Sequence, residues 1–273
     1  MVVATVSSGS YDPPVVRSLP ILVLSTAGCS AVVGSAEETD AQSTSVTGVV
    51  VVDRVVGDEA ARAEASARFI RIRGAIDDSA LKLVGAGLDL PPVGQCATRR
   101  DEVGARPVQL LDVGAVSIES FATGQRTILT SRQVPDVVDL VSGTMYSARI
   151  DESSVPSTSD VAVLVGGSAE VPAFSVRART PDAPSSVRIT ALDASNAEIT
   201  WATAQGGDAV YIDVGATRCS SSDEGHAVIP ATDGDVVTVH RVRREALSIP
   251  GTDRTTWGGE LRFDFARVVT FKH

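Results

Sequence analysis

Arg68-Phe69-Ile70-Arg71-Ile72-Arg73 decides the class of this fold. Apolar and cationic residues alternate, so Ile70 and Ile72 share one face and Arg71 and Arg73 the other. A period of two is the signature of a half-buried β-strand. The same reading extends in both directions. Val108–Val113, Val116–Ser120, Thr127–Thr130, Thr144–Ile150, Val161–Val165 and Val171–Arg177 are short clusters rich in β-branched residues, separated by turns that contain Gly or Pro. Beyond Thr180 come Val187–Leu192, Ala197–Ala202, Ala209–Val214, Ala227–Ile229, Val236–Val242 and Leu261–Phe271. Strands at such short spacing predict all-β sandwiches. The exception is Asp77-Asp78, read as capping a short helical turn through Leu81, Leu83 and Val84 that stops at Gly85.

The chain has 273 residues, 43% of them hydrophobic, enough for one large or two ordinary domains with a real core. Its net charge of −10 lacks the basic footprint that phosphate binding needs, which argues against a nucleic-acid partner. Only Lys82 and Lys272 are lysines, an arginine bias that fits a GC-rich genome better than any arginine-specific chemistry.

The N-terminus carries an address. Arg17 supplies a positive charge, Leu19–Ala27 an apolar stretch, and Ala27-Gly28 small residues directly before Cys29. This junction resembles the lipobox of bacterial lipoproteins, with Thr26 standing where that motif usually has leucine. The resemblance implies a signal peptide over 1–28, cleavage before Cys29, lipid on Cys29 and a place in the cell envelope. With Ser30 after the cysteine, the outer membrane is the expected site. An ordinary signal peptidase acting after Ser25-Thr26-Ala27 and a cytosolic protein with a disordered start are the rival readings. Residues 29–47 read as a flexible lipidated tether, small and polar with Glu37, Glu38 and Asp40. No other apolar run approaches the ~20 residues of a membrane-spanning helix.

A first sandwich is expected over 48–180 and a second over 187–273, joined by a linker at 181–186 with Pro181 and Pro184. Pro181-Asp182-Ala183-Pro184, Val187, Ile189, Ile199-Thr200-Trp201 and Val210-Tyr211-Ile212 resemble the opening strands of a fibronectin type III domain. Gly234 to Val242 is similar to that family's sixth strand, although Val237 stands where the family usually has its corner tyrosine. The resemblance implies an Ig-like or fibronectin-like second domain with Trp201 and Tyr211 as core anchors. Lipobox and two sandwiches together also resemble uncharacterised lipoproteins of the myxobacterial kind, a resemblance that implies no known reaction.

Catalytic motifs are scarce. Ser79-Ala80-Leu81-Lys82 matches the Ser-x-x-Lys tetrad of penicillin-recognising enzymes, in which the amine activates the serine. The companion Ser-Asp-Asn and Lys-Thr-Gly are absent, so a solvated helix face explains the tetrad better. His226, His240 and His273 have no metal-ligand spacing, and His240 reads as a sheet-face residue. Asp233-Gly234-Asp235 reads as a hairpin turn rather than a calcium loop. Arg241, Arg243 and Arg244 form the densest basic cluster, read as a solvated strand edge against the alternative of an anionic glycan or headgroup contact. Cys96 and Cys219 are a candidate disulfide between the domains, the alternative being two independent thiols. The expectation is a non-enzymatic lipoprotein without cofactor or metal, bound to the membrane by lipid and to an envelope protein or glycan. An envelope hydrolase or assembly enzyme using Ser79 and Lys82 is the alternative.

Overall fold

The computed structural model describes residues 44–57, 61–73, 78–99, 107–137, 140–251 and 256–272. The predicted signal peptide and Cys29 lie outside them. Thr44–Val56 (β1) and Ala61–Arg73 (β2) come first, then a six-residue helix Asp78–Leu83 (α1). Cys96–Thr98 (β3), Val108–Leu110 (β4), Val116–Ser120 (β5), Arg126–Val137 (β6) and Val141–Ile150 (β7) follow. Asp160–Val165 (β8), Phe174–Arg179 (β9), Arg188–Ala191 (β10), Asn196–Thr200 (β11) and Ala209–Val214 (β12) continue the chain. Thr217–Ser221 (β13), His226–Pro230 (β14), Val236–Pro250 (β15) and Thr256–Thr270 (β16) complete it. The fold is all-β, as the period-two pattern predicts.

Thirteen strands form one continuous sheet in the order β3-β13-β12-β15-β16-β1-β2-β4-β7-β6-β5-β8-β9, and β10-β11-β14 form a second. The long sheet turns a corner on β6: Arg126–Leu129 pair with β5, whereas Thr130 onward pairs with β7. Pro135, which has no N–H to donate, sits where the β6–β7 register shifts between Val134 and Val137. The corner brings β5, β8 and β9 over the middle of the sheet. Val116, Ile118, Val161 and Val163 thereby pack with Val50, Val52, Phe263 and Phe265 in the largest core. A second core forms where β10, β11 and β14 cover β12 and β15, around Ile199, Trp201, Ile212, Ile229, Val237 and Val239. This second sandwich, three strands against β13-β12-β15-β16, is the fibronectin-like arrangement that the resemblance implied. On the opposite face of the long sheet α1 closes a third cluster over Val49, Val51, Ile70 and Ile72.

The two-domain division at 181–186 needs correction. Residues Gln42–His273 fall in one compact unit. The physical cause is the β15–β16 hairpin, paired continuously from Val236↔Thr270 to Pro250↔Thr256. Val237, Val239 and Phe271 serve the second core, while Leu247, Ile249, Leu261, Phe263 and Phe265 serve the first. The hairpin's distal half then takes β1 as a parallel neighbour, Val50 opposite Leu261 and Val52 opposite Phe263. The first core therefore cannot be built from 48–180 alone. The boundary between tether and first sandwich, expected at 47–48, also moves: Thr44 to Thr47 already pair with Arg73 to Ile70, Thr and Val being residues that suit a strand.

The basic cluster is corrected in the same way. Arg241 is fully buried, not a solvated edge, and lies on the hairpin between the two cores. Its Nη1 donates to Asp182 O at 3.0 Å and its Nη2 to Ala202 O at 2.7 Å and Asp223 Oδ1 at 2.9 Å. Arg243 holds Asp208 through Nε and Nη2 and the carbonyls of Arg179 and Thr180 through Nη1. Arg244 pairs with Glu260. Two arginines thus clamp the backbone over 179–182, and the expected linker is a fixed corner.

Candidate functional site

Residues at alternate positions of adjacent strands line up across a sheet, so one polar residue per strand makes a transverse row. Such a row crosses the face opposite the two main cores. The register sets Arg218 of β13 against Asp213 of β12, Tyr211 of β12 against His240 of β15, and Asp264 of β16 against Asp53 of β1. It continues from Asp53 to Glu64 of β2, and from Glu64 to Arg149 of β7.

The row is tightly wired at one end. Tyr211 Oη donates to Asp264 Oδ2 at 2.5 Å, and His240 Nδ1 lies 2.8 Å from Asp264 Oδ1. The Tyr211 and His240 rings stack, with centroids 4.1 Å apart and planes within 13°. Arg218 makes two 2.8 Å bonds to Asp213 and covers the other side of the Tyr211 ring, its guanidinium carbon 4.3 Å from the centroid. Burial pushes the Tyr211 hydroxyl well above the usual phenol range, and the Asp264 charge adds to it. Burial also opposes the charge on Asp264, but the His240 contact, the Tyr211 hydrogen bond and the Arg262 charge outweigh it and hold this carboxyl below its ordinary value.

Asp53 is the contrast. It stands beside Asp264 without a comparable set of donors, and burial, followed by the Asp264 charge, raises its pKa from 3.8 to about 6. Asp53, Glu64, His240 and Asp264, together with Arg62 and Arg149, line a groove of about 660 Å³. Two adjacent carboxylates with divergent proton affinities mark a candidate site, because structural residues rarely keep a buried carboxylate without partners.

The residues singled out by sequence fall elsewhere. Ser79 and Lys82 lie on α1, and Lys82 Nζ is ion-paired to Asp89 Oδ2 at 2.9 Å. Among the described residues no group of three or more His, Cys, Asp and Glu is placed to hold a metal ion. Gly234 turns with φ +89° between β14 and β15, which belong to different sheets, so the expected hairpin is a crossover turn; Asp235 Oδ2 accepts from Thr232 N and Oγ1. Cys96 and Cys219 are joined by a disulfide across the β3–β13 pair, stapling an edge strand to the sheet. Trp201 anchors the second core and donates Nε1 to Asp223 at 2.7 Å. Tyr211 is buried as the resemblance implied, but in the polar row rather than the apolar core.

Sequence reading missed Asp53 and Asp264. Its available signal was local: Asp53 ends the apolar run Val49–Val52, and Asp264 stands between two phenylalanines. A charge in such a position is expensive unless it is paired or used.

No family model matches this chain, and no curated protein matches it. Among solved structures, the chain is similar to the FN1–FN3 domains of chicken CNTN1, with 13% identity over 75% of each chain and a TM-score of 0.19. It is also similar to the yeast delta-COP-I mu-homology domain, with 10% identity over 82% of this chain and 95% of that chain and a TM-score of 0.25.

Proposed function

We propose that this protein is a lipid-anchored, non-catalytic binding module of the cell envelope, held to the outer membrane through Cys29, with the Asp53 groove as its ligand site. The ligand is an envelope protein or glycan that presents a cationic group to Asp53 and Glu64. The observation that carries this reading is how the ionisable groups of the row are used. Both oxygens of Asp264 are engaged by Tyr211 and His240, and Arg218 grips both oxygens of Asp213. Among the described residues the Asp53 carboxylate has no hydrogen-bond partner of its own, while its neighbours Asp264 and His240 are bonded to each other, an arrangement suited to holding a charge rather than turning over a bond. The Cys96–Cys219 bridge supports export, since disulfides persist in oxidising compartments. The hydrolase alternative loses support because Lys82 is spent on Asp89.

The test has two parts. The full chain expressed in a bacterial host should partition into detergent with an acyl-modified Cys29. In the second part, purified cell-wall sacculi and an amine-bearing polymer should retain the parent protein and release the Asp53→Lys variant. Retention of Met1 to Gly28 with an unmodified Cys29 would overturn the anchor. Equal retention of Asp53→Lys would overturn the groove.

A further inference from the structure

A second cleft lies on the same sheet face, on the far side of Arg262 from the carboxylate groove. It encloses about 440 Å³ between Leu81, Leu88 and Leu90, from α1 and the segment after it, and Arg244, Glu260 and Arg262 of the hairpin. The Arg262 side chain is only 8% exposed, yet its guanidinium donates one hydrogen bond, from Nη1 to Ala86 O at 3.0 Å. Its Nε is buried without an acceptor. Glu260 does not fill the gap. Its Oε1 is 3.8 Å from Nη1, outside hydrogen-bond range, and its Oε2 is taken by Arg244.

An arginine carries five N–H donors, and buried donors without acceptors are costly to keep. Here Nη1 is tied to the backbone, and among the described residues the Nε–Nη2 edge has no acceptor. This is the edge that grips a phosphate or carboxylate through two parallel hydrogen bonds. The two acids that line the cleft are already engaged, Asp89 with Lys82 and Glu260 with Arg244. Arg68 lies close enough that burial and then the Arg262 charge weaken its hold on its own proton. Across the cleft the leucines offer an apolar wall. A volume of this size lies within the ~300–1,000 Å³ range of small-molecule sites.

We infer that this cleft binds an amphiphilic oxyanion, a phosphate or carboxylate head on an apolar chain, with the head on the Nε–Nη2 edge of Arg262 beside Arg244 and the chain against Leu81, Leu88 and Leu90. Its lining shares no residue with the Asp53 groove.

Calorimetric titration of the full chain carrying Cys29→Ser with decyl phosphate, decanoate, decanol and inorganic phosphate tests it. Decyl phosphate and decanoate should bind at least roughly tenfold more tightly than decanol or inorganic phosphate, the discrimination expected of one charge-assisted pair. Arg262→Gln and Leu88→Asp should each weaken binding by a similar factor. Vesicles locate the source: capture on anionic but not zwitterionic vesicles, lost in Arg262→Gln, assigns the site to a membrane headgroup, whereas binding of soluble decyl phosphate alone assigns it to a free amphiphile. Decanol binding as tightly as decyl phosphate overturns the inference, as does inorganic phosphate doing so. Affinity within about twofold of the parent in Arg262→Gln has the same meaning. If Arg262→Gln fails to fold by circular dichroism, the comparison of head groups on the parent protein decides alone.

Discussion

Replacing Asp53 by Asn keeps the shape of the side chain and deletes its charge, so it isolates what burial of this carboxylate costs. The folded-state pKa is raised from 3.8 to about 6, by burial first and by Asp264 second. A raised acid is stabilising in its protonated form. Its contribution is fully present below pH 3.8 and is lost as pH rises through about 6. At ~1.36 kcal/mol per pH unit, the difference amounts to about 3 kcal/mol, and to about 2 after allowing for the groove's opening to solvent. The Asp53→Asn protein should therefore match its parent near pH 4 and exceed it by about 2–3 kcal/mol near pH 7.5. Urea denaturation of the full chain carrying Cys29→Ser, with and without Asp53→Asn, measures this at each pH. Other carboxylates titrate in both proteins and cancel in the difference. A gain that is the same at both pH values, or no gain near pH 7.5, would refute the assignment of the strain to Asp53.

The clamp, the staple and the anchor give further outcomes. Arg241→Met should destabilise the fold by about 3–5 kcal/mol, because Asp223 is left buried without its cation and two carbonyls lose their donor; Arg241→Lys should recover only part of it, as read by urea midpoints. Replacing both Cys96 and Cys219 by Ser opens a loop of 123 residues and should cost about 3–5 kcal/mol, with the loss confined to non-reducing conditions when compared with the parent. Gly143 sits at φ +111° with Leu110 O only 1.9 Å from where a Cβ would stand, so Gly143→Ala should lose more than about 2 kcal/mol in thermal melts, or fail to fold. Cys29→Ser should move the protein from the membrane fraction to the soluble fraction, since the proposed anchor is lipid alone.

The strands themselves were legible, because a period of two survives wherever one face of a sheet meets a core. Val116–Ser120 and Ala209–Val214 were read to the residue. The errors sit where periodicity is silent. Arg243, Arg244 and Glu245 look like the end of a strand, since three charges interrupt the alternation. In the structure β15 runs through them to Pro250, because Asp208 and Glu260 satisfy two of those charges and the ladder to β16 continues underneath. Thr217–Ser221 and Cys96–Thr98 carry too little apolar pattern to register as strands. Their pairing rests on backbone hydrogen bonds and on the bridge. Ser79 and Lys82 drew notice because a motif is a string of neighbours. Asp53 and Asp264 are 211 positions apart and become neighbours only through the parallel β1–β16 pairing.

That pairing also explains why the expected domain boundary fails. Pro and Gly mark where a chain bends, and the prolines at 181 and 184 mark a real bend. A domain boundary requires in addition that few contacts cross it. Sequence reading scored the first property and could not see the second, because the crossing element is a hairpin whose two halves have the same composition but serve different cores. Parallel pairing of β1 with β16 then ties the first strand of the described chain to the last. The edges of this sheet are left to β3 and β9, whereas β16 and β1 lie in its interior. The residues on these two strands lie too far apart in sequence to form a motif. Asp53, whose proton affinity burial raises, and Arg262, whose Nε has no acceptor, both occur there. The strand junction that fuses the two sandwiches into one unit is therefore the same feature that creates both candidate binding sites. A change that separated the sandwiches would remove both together.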